Sequence, residues 1–213
     1  DFAPITMAAS SPNILVVTPT FPVKSVRELI ALAKARPAEL NYGASGAGSS
    51  NHLSAELFKS MAGVNIVHVP YKGAPQALTD VLGGQVALNF SAISLALPHV
   101  KAGRLRLLGI SNAQRSLLLP DVPTIAESGL PGYAMTTWVG LLAPAKTPQP
   151  IIARLNDALL RVVRTADSRA QFASQGAEPA ENSAEQFAAF IRAESEKYAK
   201  VVKSSGMMRS EEH

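Results

Sequence analysis

The chain has 213 residues, 47% of them hydrophobic and 17% charged, enough apolar content to bury a core and too much for a disordered chain. Its net charge of +4 is scattered and aromatics make up only 6%, with no basic block interleaved with aromatics, which argues against nucleic acid as a partner. The absence of cysteine excludes thiol catalysis, disulfides and Cys-type zinc sites, and no apolar run reaches the length of a membrane span, so the chain is not expected to be membrane-inserted.

Asp1 is not an initiating residue, and no apolar leader follows it, so an export signal is expected upstream or already removed. The first apolar strand is expected at Ile14 to Val17, punctuated by Pro19 and Pro22. Ser25 and Glu28 have capping-box spacing before a helix running to about Ala35. A strand at Glu39 to Tyr42 then enters a turn of small residues, Gly43 to Ser49, and a helix from Ser50 to Met61 stopped by Gly63. A strand over Val64 to Val69, the turn Pro70-Tyr71-Lys72-Gly73 and a helix from about Pro75 to Leu82 follow, ended by Gly83-Gly84. Strands at Val86 to Phe90 and Arg104 to Ile110 flank a helical segment near Leu95 to Lys101. Strands alternating with short helices predict βαβ units in a parallel-rich sheet.

Beyond Ser111 prolines and glycines cluster, with one strand expected at about Thr136 to Leu142. Thr147-Pro148 reads as the start of a helix carrying Ile151, Ile152, Leu155, Leu159, Val162 and Val163. A last helix is expected from Ser183, with Gln186 in the capping-box position and Gly206 as its stop. The polar tail from Ser210 to His213 carries no fold information.

The stretch Asn41 to His52, NYGASGAGSSNH, concentrates the chemistry. Glycines at 43, 46 and 48 let backbone amides approach a ligand, and a helix N-terminus with serine hydroxyls suits an anion. Two nucleotide readings fail on spacing. Gly46-Ala47-Gly48 lacks the third small residue of a dinucleotide fingerprint, and no lysine completes a P-loop. Gly43-Ala44-Ser45-Gly46-Ala47 falls one glycine short of a hydrolase nucleophile elbow, which keeps a serine hydrolase with Ser45, Asp80 and His99 as an alternative.

Open α/β sheets bind ligands beyond the carboxyl ends of their strands, which gathers Gly43–Asn51, Pro70–Ala74 and Asn89–Ile93 at one edge. The candidate ligand residues are Ala44, Ser45, Gly46, Gly48, Ser49, Ser50, His52, Tyr71, Lys72, Gly73, Asn89 and Ser91. Tyr71 suits a binding rim as a rigid aromatic with a hydroxyl. His68, inside an apolar strand, reads as a satisfied core histidine, and Trp138 as either cleft lining or packing. No catalytic residue, metal ligand or cofactor is expected beyond the hydrolase alternative.

A series of segments in fixed order carries a resemblance: His68-Val-Pro-Tyr-Lys-Gly73, Gly83-Gly-Gln-Val86, Leu97-Pro-His-Val-Lys-Ala-Gly103 and Leu119-Pro-Asp-Val-Pro-Thr124. Ala126-Glu-Ser-Gly-Leu-Pro-Gly-Tyr133 and Trp138-Val-Gly-Leu-Leu-Ala-Pro-Ala145 continue it. From Asp1 to about Met207 the chain resembles the extracytoplasmic solute receptors of tripartite tricarboxylate transporters, the Bug family. The resemblance implies an α/β fold of periplasmic-binding-protein type II, with one complete lobe over residues 11–110. Residues 1–10 and 111–213 would belong to a second, truncated lobe that exposes apolar surface. Family members begin with several tens of residues holding a Pro-Phe-x-x-Gly-Gly-type segment, which has no counterpart here. The resemblance further implies a periplasmic receptor, without catalysis, that captures a small carboxylate for inner-membrane transporter subunits. A ligand sensor for a signalling partner is a further alternative. Many members carry aspartate where Ser91 stands, so a plain carboxylate is expected rather than an amino acid.

Overall fold

A computed structural model describes residues 1–205, in which seven strands and seven helices are laid out. In chain order they are β1 (Phe2–Val17), α1 (Val26–Ala35), β2 (Asn41–Ser45), α2 (Ser50–Ala62), β3 (Val67–Tyr71), α3 (Ala74–Leu82), β4 (Leu88–Ala92), α4 (Ile93–Lys101) and β5 (Arg106–Ile110). Then come β6 (Thr136–Pro144), α5 (Gln149–Val163), α6 (Ala166–Ser174), β7 (Glu178–Pro179) and α7 (Ala184–Ser205). The expected helix stop at Gly206 and the tail from Ser210 lie outside the described residues. Two compact units divide the chain: residues 1–11 with 137–200, and residues 12–136 with 201–205.

The unit over residues 12–136 is the α/β one. Its strand order is β3-β2-β4-β1-β5. As the βαβ pattern predicts, β2 is parallel to both β3 and β4. The exception is β1, which enters from outside the repeat and lies antiparallel to β4 and β5. One sheet face packs Ile14, Val16, Leu78, Val81, Ile93 and Ile110 into a core under α3 and α4. A second cluster joins Phe58 of α2 and Phe90 of β4 to Tyr133, with ring centroids 5.8 to 6.4 Å apart. The stretch 112–136 belongs to this unit, and Ser111 ties it to β1: Asn13 N–H donates to Ser111 Oγ, which donates to Met135 O at 2.6 Å.

Local chemistry explains the helix ends. Ser25 Oγ accepts Glu28 N–H at 3.2 Å, while the Glu28 carboxylate accepts from Lys24 N–H rather than from Ser25, so the expected box closes one residue early. Gly63 ends α2 in the left-handed region, where only glycine is unstrained, as expected. Four strands, β2 to β5, start two or three residues later than expected from the sequence. Ile66 and Val86 are buried just ahead of β3 and β4 as anchors of the preceding turns, so burial and strand pairing part company there.

In the unit over residues 1–11 and 137–200, the first part of β1 pairs with β6 and β7. Ile5, Ala143 and Ile152 form its small core, and the Asn156 amide donates to the carbonyls of Ile5 and Asn182 at 2.8 and 3.0 Å. Trp138 packs edge-on against Phe187 and Phe190 of α7, at 5.5 and 5.7 Å between centroids. Neither α6 nor β7 is among the expected elements; Arg164 just ahead of α6 and Arg169 within it both pair with Glu181, beyond β7. Apolar side chains remain exposed on β6 (Val139, Leu141, Leu142) and on α5 (Ile151, Leu155, Val162).

Candidate functional site

The glycine loop links the end of β2 to α2, and its order comes from Asn51. The Oδ1 of this buried residue accepts from Ser45 Oγ at 3.0 Å and from His52 N–H at 3.0 Å, and Ser49 Oγ stands 2.6 Å away. Ser49 Oγ also lies 2.9 Å from Ser45 O, so both hydroxyls serve the loop's own architecture. Gly46, Ala47 and Gly48 stay exposed, and a Cβ at either glycine would meet no atom within 4 Å, so the outer side of the loop is open. Gly48 has φ +78°, which confines this position to glycine at low cost. Gly43 is needed for a different reason: a Cβ there would stand 3.2 Å from both Ala77 and Tyr71, where α3 crosses β2.

Strand pairing sets the neighbouring loops beside this one. Ser45 of β2 is opposite Tyr71 of β3, and Gly43 is opposite Asn89 of β4. The carboxyl ends of three adjacent strands therefore open into the N-termini of α2, α3 and α4. Ser49, Gly73 and Ala92 are the N-cap residues, and none of the three caps its helix with a side chain. Ser25, Thr165 and Ser183 do cap α1, α6 and α7, while α5, entered from Pro148, is uncapped as well. Apart from His52 N–H, which Asn51 Oδ1 holds, and Pro75, which has no N–H, these first turns present amide donors and positive partial charge to this edge, which suits a carboxylate. Lys72 adds an exposed cation there with no ion-pair partner among the described residues. The loops 43–51, 70–74 and 89–93 contain no acidic side chain.

Several expected ligand groups are committed elsewhere. Tyr71 donates its hydroxyl to Asp80 at 2.6 Å, and burial and that carboxylate push its pKa up to about 12, so it offers a ring edge and not a free donor. The Asn89 amide is buried and donates to Gly43 O at 2.6 Å, clamping β2 to β4. Ser91 is 1% exposed and its Oγ is enclosed without a partner among the described residues, so it does not reach the loop surface. Ala44 is buried within β2, and Ser50 is half-buried in the first turn of α2 with its carbonyl accepting from Ser54 Oγ.

His52 turns inward. Its Nδ1 accepts Gly48 N–H at 3.1 Å, and its ring stacks on His68 at 4.2 Å, with Tyr42 stacked on His68 at 5.0 Å. Below them Glu56 accepts from the Tyr42 hydroxyl and from Lys59, both at 2.6 Å. Burial first, then the neighbouring His68, holds His52 below the ordinary histidine range, so it is neutral at pH 7. Desolvation lowers His68 as well. His68 is not the fully satisfied core residue expected: it bonds the backbone at Ala44, while its Nε2 has no partner among the described residues.

The hydrolase constellation does not assemble. Ser45 Oγ donates to Asn51, Asp80 is held by Tyr71, and His99 sits in the last turn of α4. Among the described residues no three His, Cys, Asp or Glu side chains are grouped to hold a metal ion. The support behind the loop was not anticipated: Asn13 donates to Ser54 Oγ at 2.9 Å, and the Tyr133 hydroxyl donates to Ser54 O at 2.9 Å. These bonds join β1 and the 112–136 stretch to the first turns of α2. Lone Asn, Ser and Tyr residues far apart in sequence carry no local signal of it. Asn51 was legible as an Asn at a helix start, a position that favours side-chain bonds to nearby backbone.

A family profile described as tripartite tricarboxylate transporter family receptor matches residues 1–207. The protein BugT of Bordetella pertussis is 36% identical over 206 residues, covering 97% of this chain and 63% of its own length. Among solved structures, the R. palustris protein Rpa4515 with adipate is 40% identical with a TM-score of 0.81, covering 97% of this chain and 69% of that one. MatC from Rhodopseudomonas palustris with bound malate is 31% identical with a TM-score of 0.76, covering 94% and 69%. The chain thus spans about 60% of the length of the curated relatives it matches. No described helix is long and apolar enough to cross a membrane.

Proposed function

The chain belongs to the tripartite tricarboxylate transporter receptor family, and on that premise we propose that it captures a small organic carboxylate and presents it, in the periplasm, to inner-membrane transporter subunits. The observation that carries this reading is the meeting of three helix N-termini without side-chain caps, those of α2, α3 and α4, at one sheet edge. The open outer side of the glycine loop at Gly46 and the exposed Lys72 complete an anion seat on the same edge. The adipate and malate held by the two R. palustris structures are ligands of the proposed class. No acidic side chain in the three loops stands ready to pair with an ammonium, which favours plain dicarboxylates over amino acids. In this reading the site residues bind and orient, and none performs covalent chemistry.

Isothermal calorimetry of the 213-residue chain with adipate, malate, citrate and glutamate tests it. A deaminated di- or tricarboxylate is expected to bind and to raise the melting temperature by mass action. Tighter binding of glutamate, or heat from none of the four, overturns the reading.

A further inference from the structure

Two helices of this chain close their first turn with the side chain of their third residue. In α1, Glu28 accepts Lys24 N–H at 2.7 Å, and in α7 Gln186 accepts Ser183 N–H at 2.9 Å. In α2 the third residue is His52, and its Nδ1 accepts Gly48 N–H at 3.1 Å. Carboxylate and amide oxygens accept across the neutral range, whereas an imidazole nitrogen accepts only while unprotonated. The geometry points to His52 as a pH-sensitive positioning residue: a proton taken up at Nδ1 frees Gly48 N–H and unlatches the glycine loop from α2. That the carboxylate seat loosens in acid rests on the function proposed above; the latch itself does not.

The groups facing the imidazole decide the direction. From α2, the Glu56 carboxylate lies 3.9 Å from Nε2 and favours a proton, but it already accepts from Tyr42 and Lys59, and the Lys59 ammonium opposes protonation. From β3, His68 stacks on the ring at 4.2 Å and opposes a second charge. From β2, the Tyr42 ring lies 6.2 Å away, its hydroxyl spent on Glu56. An imidazolium at this position would also face the positive end of α2. His52 is 4% exposed, so water cannot screen these terms freely. The latch is closed at neutral pH and opens on acidification.

The test is NMR on the intact 213-residue chain from pH 7.5 to 4.5, following the His52 imidazole nitrogens and the Gly48 amide. At pH 7.5 His52 should carry its proton on Nε2, with Nδ1 as acceptor. As His52 titrates, Gly48 protection against hydrogen exchange, corrected for the intrinsic rate, should fall by about tenfold with the same midpoint, the loss of one hydrogen bond. In His52→Gln, whose amide oxygen accepts without titrating, that step should vanish. Flat Gly48 protection through the His52 midpoint, or an unchanged step in His52→Gln, overturns the proposal. If His52→Gln fails to fold, coincidence of the two wild-type midpoints decides alone. Calorimetry with adipate on the same samples separates the two readings, because a titrating latch in a chain that binds no carboxylate fails the receptor and keeps the latch.

Discussion

Gly46 and Gly48 lie two residues apart on the same open loop, yet side chains at them test different things. Gly46 has room for a Cβ and no positive φ, so Gly46→Val should leave stability within about 0.5 kcal/mol in chemical denaturation. The added isopropyl group would stand over the amides of the proposed seat, and adipate affinity should fall about tenfold or more, since a carboxylate kept from those donors loses charge-assisted hydrogen bonds. Unchanged affinity would remove Gly46 from the site. Gly48→Ala instead meets backbone strain at φ +78° and should cost about 1 kcal/mol of stability. Gly140 is a packing position: a Cβ there would run into the Phe187 ring, which is 1% exposed. Gly140→Ala should therefore destabilise by about 1–3 kcal/mol, read as a shift in denaturation midpoint at constant slope.

At the scale of elements, what could be read in advance divides along the range of the interactions. Helices α1, α2, α3 and α7 follow from apolar spacing, from first-turn residues and, in α2 and α3, from terminal glycines, all within a few residues of one another. β1 does not: only Ile14 to Val17 read as strand, because Phe2 to Ser11 is rich in Ala and Ser without alternation, and its strand state depends on pairing with β6 and β7. The site divides the same way. The Gly43–Asn51 turn was visible as a strand-to-helix boundary, while the commitments of Tyr71 to Asp80 and of Asn89 to Gly43 O require knowing which elements become neighbours. β6 pairs with β1 and exposes Val139, Leu141 and Leu142 along its length, the composition of a strand that invites pairing with other chains. Leu141→Lys, 38% exposed in the parent, should lower light scattering on heating while moving the unfolding midpoint by no more than about 0.5 kcal/mol. Equal scattering from the two chains would show that β6 does not drive association.

For the whole molecule, the Tyr42, His52, His68 and Glu56 cluster links folding to pH in a window set by its histidines. Burial lowers both pKa values below the ordinary histidine value of 6.5, so the unfolded chain binds more protons than the folded one on the acid side of that value. The neutral stack therefore contributes its full stability above pH 6.5, and that contribution is lost as pH falls through the depressed folded values. Within that window each histidine adds a slope of up to about 1.4 kcal/mol per pH unit. The exposed carboxylates of Glu127 and Glu185, held low by backbone and side-chain hydrogen bonds, act only below their ordinary value of 4.5 and leave the histidine window clear. Urea denaturation at pH 7.5, 6.5 and 5.5 should show little change across the first step and a marked loss across the second. His52→Gln should remove part of that loss and leave the share of His68. A stability curve flat from pH 7.5 to 5.5 would mean that the stacked imidazoles keep their unfolded affinity for protons, and the burial that organises the back of the loop would then have no electrostatic consequence.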